Sequence, residues 1–219
     1  VEKTQVHAHL CHISSKLGLN AVLDGKKSGL PISCEVTAHH LLISSTDLKR
    51  YGTIALCDPP LRSVKDIEAL WEALNEDLID IIASDHAPHL FEEKKAESVW
   101  DVKPGFPNLE TIVQLILTQI NKGRLSIVDL TKLMAEKPAE IFHLKERGRL
   151  EKGYNADIIV VDMHREDRID ASKFHSKAKY SPFDGWRVKG KPVKTFVNGQ
   201  LVMDYGEIVA KPGVGHVIR

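Results

Sequence analysis

The sequence predicts an α/β chain, the closing part of a TIM (β/α)8 barrel followed by a small β-rich subdomain. Three segments carry the first half of that reading: Val6–Ser14 "VHAHLCHIS", Pro31–Leu41 "PISCEVTAHHL" and Asp80–His89 "DIIASDHAPH". Each runs from apolar residues into histidines and acids, with amphipathic helical sequence after it. Alternating strands and helices predict a parallel sheet with helices outside. Polar residues at strand ends sit where a (β/α)8 barrel carries its function. Three strand–helix units cannot close eight strands, so the barrel reading expects missing units on the N-terminal side. The chain has no initiator Met, and its first residues read as a strand. Beyond about Leu144 turn and strand signals take over, which divides the chain into a barrel portion, 1–144, and a β-rich subdomain, 145–219.

The elements follow in order. The isoleucines of "DIIA" suit a strand buried on both faces. Val64, Ile67, Leu70, Trp71 and Leu74 recur at helical spacing behind Ser63, a candidate N-cap. Leu109, Ile112, Val113, Ile116, Leu117 and Ile120 repeat the pattern after Asn108, and Gly123 stops it. Ser126 is placed to cap "SIVDLTKLM", and Pro138 to open a short last helix, "PAEIFHL". In the tail, Gly153 and Asn155 precede a short β-rich run, and Asn198-Gly199 is a hairpin dipeptide between apolar segments.

Composition narrows the function. The 219 residues hold 30 Lys and Arg against 30 Asp and Glu, so no net charge steers the chain toward nucleic acid or an anionic membrane, and neither is expected as a partner. Cys11, Cys34 and Cys57 are widely spaced with no CxxC pair, which suits a reducing cytoplasm rather than a disulfide framework. No apolar run approaches the roughly 20 residues of a membrane span. The start lacks the charged-then-apolar order of a signal peptide, so a soluble, unexported protein is expected.

Several residues could carry chemistry. His12 ends the first strand, where an imidazole would face a barrel mouth and suit zinc; taken alone, a histidine is more often structural. His7 and His9 read as packing or as hydrogen-bonding support. Asp85 directly follows "DIIAS" and would be costly to bury unpaired. A metal or a loop cap would each resolve that cost. His89 comes four residues later, after Pro88 has made a helical arrangement of the two unfavourable. Cys11 reads first as a small buried residue and second as a ligand, whereas Glu35, charged within a strand, needs a partner. In "CDPPLRS" Arg62 could clamp a carboxylate, though a structural acid is its commoner partner. In "KPGFPNLE" the prolines fix the backbone, Gly105 permits close approach and Asn108 can cap a helix.

Taken together, "HLCHIS", "CEVTAHHLLIS", "DPPLRS", "SDHAPH", "PGFPNLET" and "GRLEKGYNADIIVVD" resemble, in order, the C-terminal half of dihydroorotase, a cyclic amidohydrolase. The resemblance covers essentially the whole chain. "SDHAPH" with "EVTAHHL" is its most specific part, since hydantoinases and allantoinases share the framework but vary those motifs. It implies a metal-dependent hydrolase barrel with one or two zinc ions at the strand ends. The implied reaction is reversible cyclisation of N-carbamoyl-L-aspartate to (S)-dihydroorotate, in pyrimidine biosynthesis. It further implies that His12 is a zinc ligand, Asp85 both a zinc ligand and the general acid/base, and His89, Pro104 and Gly105 substrate contacts. Cys11 and Glu35 match positions of an additional, third zinc in the animal multifunctional enzyme.

Two departures accompany the match. Asp58 stands at a substrate-facing position where relatives usually carry Asn or Arg, and Ala38 replaces a frequent Pro. An ionised Asp58 would repel an anionic substrate unless it turns away or pairs with a cation. The His-x-His of the first barrel strand, the bridging carboxylated Lys or Asp and a further histidine fall outside these 219 residues. The isolated chain is therefore expected to be inactive. Its expected partners are the small-molecule substrate and the missing N-terminal half, with a homodimer and aspartate transcarbamoylase as further candidates. The alternatives are a non-catalytic dihydroorotase-like scaffold and another cyclic amidohydrolase of the hydantoinase or allantoinase kind.

Overall fold

The three polar-terminated segments lie side by side in the computed structural model, which describes residues 1–218. Strands β1 (Ala8–Leu10), β2 (Ile32–Thr37) and β3 (Ile81–Ala83) form a parallel sheet in the order β1-β2-β3. His9 is level with Ser33, and Val36 with Ile82. Cys34, Val36, Ile81 and Ile82 are buried, as a strand covered on both faces requires. These strands belong to the first of two compact units, Val1–Ile112 with Ile169–Trp186.

Helix α1 (Lys16–Lys27) follows β1, with the Ser15 hydroxyl accepting from the Gly18 amide. After β2 come the short helices α2 (Ala38–Leu42) and α3 (Leu48–Tyr51), then α4 (Val64–Asn75). Ser63 and Asp66 cap α4 reciprocally, satisfying two amides at the helix entry. Leu70, Trp71 and Leu74 are buried, while Trp71 Nε1 donates to the Leu41 carbonyl at 2.8 Å. Asp80 ties sheet to helix: its carboxylate accepts from the Cys34 amide at 2.8 Å and from Lys26 Nζ at 2.6 Å.

Three expectations change within this unit. The strand starts at Ala8, because Glu2 to Gln5 are exposed and polar and turn back instead, Thr4 and Gln5 donating to the Val1 carbonyl. No long helix follows β3 directly; residues 84 to 111 form a long connection with helical turns at Phe91–Lys94 and Val99–Asp101. Helix α5 (Ile112–Asn121) then begins three residues later than the apolar pattern suggested. Leu109 is exposed, and Asn108 receives the Thr111 and Ile112 amides on its backbone carbonyl while its side chain turns elsewhere.

The second unit, Val113–Arg168 with Arg187–Arg219, holds most of α5 and the remaining elements. Helix α6 (Ile127–Thr131) carries a capping box of Ser126 and Asp129. It runs through a π-helical turn, Lys132–Glu136, into α7 (Lys137–Ile141), so Pro138 continues a helical run rather than opening a separate one. Strands β4 (Ile158–Arg168), β5 (Arg187–Val197), β6 (Gln200–Asp204) and β7 (Glu207–Ile208) form one antiparallel sheet in sequence order. At 11 residues β4 is longer than its apolar core suggested, and two bulges in its pairing with β5 interrupt the ladder. Asn198 and Gly199, both at positive φ, make the β5–β6 turn, as a two-residue hairpin of type I′ demands. Gly190 lets β5 approach α5: a Cβ there would lie 2.7 Å from Leu117 Cβ. Among the described residues no helix is long and apolar enough to cross a membrane.

Candidate active site at the strand ends

His12, His39 and Asp85 occupy equivalent places, each two residues past the end of β1, β2 or β3. His12 and Asp85 have left-handed backbone, φ 41° and 44°, a conformation uncommon outside glycine that turns the side chain sharply out of the strand direction. Parallel strands end on the same side, so the three groups gather there.

His39 is 1 % exposed, and its Nε2 has no hydrogen-bond partner. Asn108 Nδ2 lies 3.4 Å from Nδ1; with that amide donating, Nε2 carries the ring hydrogen. It faces Asp85 Oδ2 at 3.6 Å, just beyond hydrogen-bond reach. Burial holds the ring well below its ordinary pKa, with His40 and His12 adding to the effect, so His39 is neutral. His40 is neutral for the same first reason, burial taking it down to about 4. Its Nε2 donates to the Pro59 carbonyl at 3.0 Å, which leaves Nδ1 to accept from the Thr37 hydroxyl at 2.8 Å.

Acid groups converge around Asp85. Burial raises its carboxyl above the ordinary range; His12 pulls it down, while Glu35 and Asp58 push it further up. Burial, then Glu35 and Asp85, raise the Cys11 thiol. Glu35 finds its partner in His9, Nε2 to Oε2 at 3.1 Å. Ser33 Oγ links His9 Nδ1 at 2.8 Å to His7 Nε2 at 3.1 Å. Cys11 is exposed, not the small buried residue its type suggested. Ligand atoms of His9, Cys11 and Glu35 lie within 4.8 Å of one another, as do those of the buried His39, His40 and Cys57.

This donor set fits a divalent metal. Carboxylates gathered beside an exposed thiol and histidines repel one another without a cation, and imidazole, thiolate and carboxylate are zinc ligands. The His39–His40–Cys57 group fits less well, since both His40 nitrogens already have partners and burial pushes the Cys57 thiol up to about 12.

Three further loops meet here. Asp58 is exposed, and its charge adds to the rise of the Asp85 carboxyl. Asp66 is held below the ordinary carboxylate range first by its Ser63 hydrogen bond and least by the charge of Arg62. His89 is partly buried, with Nδ1 3.9 Å from Glu93 Oε2. Gly105, at φ 105°, packs so closely on Ala87 that a Cβ would lie 2.5 Å from Ala87 Cβ, and its amide donates to Leu56 at 2.7 Å. Close approach is thus its role here.

Sequence reasoning gave no part to His39, His86 or Lys94. His86 Nδ1 accepts from the Asn108 and Leu109 amides at 2.9 and 3.2 Å, pinning the loop after β3 to the entry of α5. Its place inside "SDHAPH" was the available signal. Lys94 lies within the charged run "FEEKK", yet it is fully buried.

Parallel strand ends that gather histidines and acids form a candidate hydrolase site, and residues 2–202 match the Amidohydrolase family, to which the chain belongs. Its sequence is similar to curated dihydroorotases. It is 42% identical to that of Methanothermobacter thermautotrophicus over 205 residues, 94% of this chain and 46% of that protein. Against the Pyrococcus horikoshii dihydroorotase it is 42% identical over 219 residues, all of this chain and 50% of the relative. Among solved structures, the L-hydantoinase (dihydropyrimidinase) from Arthrobacter aurescens superposes with a TM-score of 0.95 at 36% identity, covering 99% of this chain and 49% of that one. The D-hydantoinase from Thermus sp. gives 0.94 at 29%, covering 100% and 49%. The chain spans about half the length of the relatives it matches.

Proposed function

We propose that this chain is the C-terminal portion of a dihydroorotase, catalysing zinc-dependent, reversible cyclisation of N-carbamoyl-L-aspartate to (S)-dihydroorotate. Residues 1–144 would be the last strand–helix units of its barrel and 145–219 the β-rich subdomain. The observation that carries the reading is the delivery of His12, His39 and Asp85 by three adjacent parallel strand ends into one acid-rich cluster. Similarity to curated dihydroorotases along the chain's length supports it.

His12 and Asp85 would hold the metal, and Cys11 with Glu35, next to His9, would take an additional ion. Bound zinc would supply Lewis acidity to the amide carbonyl and the attacking water. Asp85 would act as general base and then general acid: in ring opening its carboxylate takes the proton of the attacking water and gives it to the leaving nitrogen. A carboxyl raised by burial is suited to holding that proton. His39 Nε2–H, 3.6 Å from Asp85 Oδ2, would close to a hydrogen bond on that oxygen as the carboxylate works. His89 would meet the substrate carboxylate, and the Pro104–Gly105 backbone its ring.

The test is to combine the chain with the remaining half of a curated relative, or with its own upstream sequence, load zinc and assay cyclisation. Turnover is expected; a folded, zinc-loaded assembly without it refutes the proposal. Two observations favour other readings. The high structural similarity to hydantoinases favours a neighbouring cyclic-amide substrate, which comparing dihydroorotate, hydantoin and allantoin would decide. The charge of Asp58 beside Asp85 favours a non-catalytic scaffold, for which Asp85→Ala would leave partner binding and phenotype intact.

A further inference from the structure

Lys94 is fully buried, 0 % exposed, and burying an ammonium costs several kcal/mol unless its three hydrogens are bonded. All three are. Nζ donates to the carbonyls of Lys103 at 2.7 Å, Gly105 at 2.9 Å and Leu56 at 3.2 Å. Among the described residues no carboxylate pairs with it, so its charge is balanced by backbone dipoles alone.

Those carbonyls belong to the segments that carry the candidate ligand contacts. Lys103 and Gly105 flank Pro104. Leu56 leads through Cys57 to Asp58 and also accepts the Gly105 amide at 2.7 Å. Gly105 in turn lies against Ala87, midway between Asp85 and His89, and the Ala87 amide donates to the Phe106 carbonyl at 3.2 Å. One ammonium therefore fixes three loops relative to one another. It lies behind the candidate ligand contacts, on the carbonyl side of their backbone.

We propose that Lys94 is a positioning residue for ligand binding, holding the Pro104–Gly105 loop in register with the Asp58 segment and the Asp85–His89 segment. The ligand side of this rests on the dihydroorotase reading; the clamp itself does not.

The experiment has two arms. Hydrogen–deuterium exchange on the 219-residue chain compares wild type with Lys94→Met. The amides of Gly105 and Ala87 should exchange at least about tenfold faster in the variant, with protection in α4 unchanged. Equal loss of protection in α4, or no change at Gly105, overturns the clamp. Should Lys94→Met not fold, the wild-type chain still decides the matter. A triply bonded ammonium gives one slowly exchanging lysine NH3+ resonance at neutral pH, and its absence overturns the proposal. In the zinc-loaded assembly, Lys94→Met should raise KM for dihydroorotate about tenfold while kcat falls by less than about threefold. An equal fall of kcat with KM unchanged overturns the binding role. If the wild-type assembly turns over no dihydroorotate, the functional reading fails while the exchange arm still decides the clamp.

Discussion

Nε2 of His39 faces Oδ2 of Asp85 across 3.6 Å, with Asn108 on the other ring nitrogen. Just outside hydrogen-bond reach, this neutral N–H sits beside the carboxylate without adding charge, the place an outer-shell partner of a metal ligand takes. His39→Leu should therefore lower turnover of the completed enzyme by about 10- to 100-fold while the fold survives. Steady-state kinetics beside circular dichroism checks this; unaltered turnover would leave His39 a packing residue.

Gly105→Ala should be strongly destabilising. The new methyl would fall 2.5 Å from Ala87 Cβ and 3.0 Å from the Ala87 carbonyl oxygen, at a φ of +105°. Overpacking and backbone strain together predict a loss of about 2–4 kcal/mol, read from denaturant midpoints.

Acid should weaken the fold through its buried histidines. His40 titrates near 4 in the folded chain, against an ordinary 6.5, because burial disfavours its charged form. Between those values the unfolded chain binds the extra proton, so stability is retained above pH 6.5 and lost as pH falls toward 4. His40 alone contributes up to about 3 kcal/mol of that loss, and His39 acts in the same direction. Chemical denaturation from pH 7 to 4.5 should show the slope, and His40→Asn should flatten it.

Alkali sets two effects against each other. Burial lowers Lys94 to about 8, so from pH 8 to 10.5 the unfolded state holds more protons and this residue's contribution rises with pH. Burial raises Cys34 to about 11 and Cys57 to about 12. Above pH 9 the unfolded thiols lose protons that the folded ones keep, and each costs about 1.4 kcal/mol per pH unit. Denaturant midpoints between pH 8 and 10.5 should fall less steeply in Cys57→Ala than in wild type, and more steeply in Lys94→Met.

Much of this architecture was legible before any coordinates. The strand ends, the Ser63 and Ser126 caps and the Asn198-Gly199 turn follow from local sequence, because periodicity and capping act within a few residues. What escaped depends on distant partners. Asn108 looked like a helix cap, but its side chain goes to His39, 69 positions away. Lys94 drew no reading among its charged neighbours, since the carbonyls that hold it come from two other loops. Cys11 looked buried by type, and its place just past a strand end exposes it. At the site, motif resemblance pointed to Asp85 and His12, whereas the positive φ that aims both side chains has no signature in their sequence.

The most direct measurement is dihydroorotate turnover by the zinc-loaded assembly of this chain with the remaining half of a curated relative, for wild type and Asp85→Asn. The account predicts turnover in the wild type and a loss of at least about a thousandfold in the variant, with the fold retained, since the amide cannot move the proton. A folded, metal-loaded wild type without turnover, or an Asp85→Asn variant that keeps its rate, would contradict it.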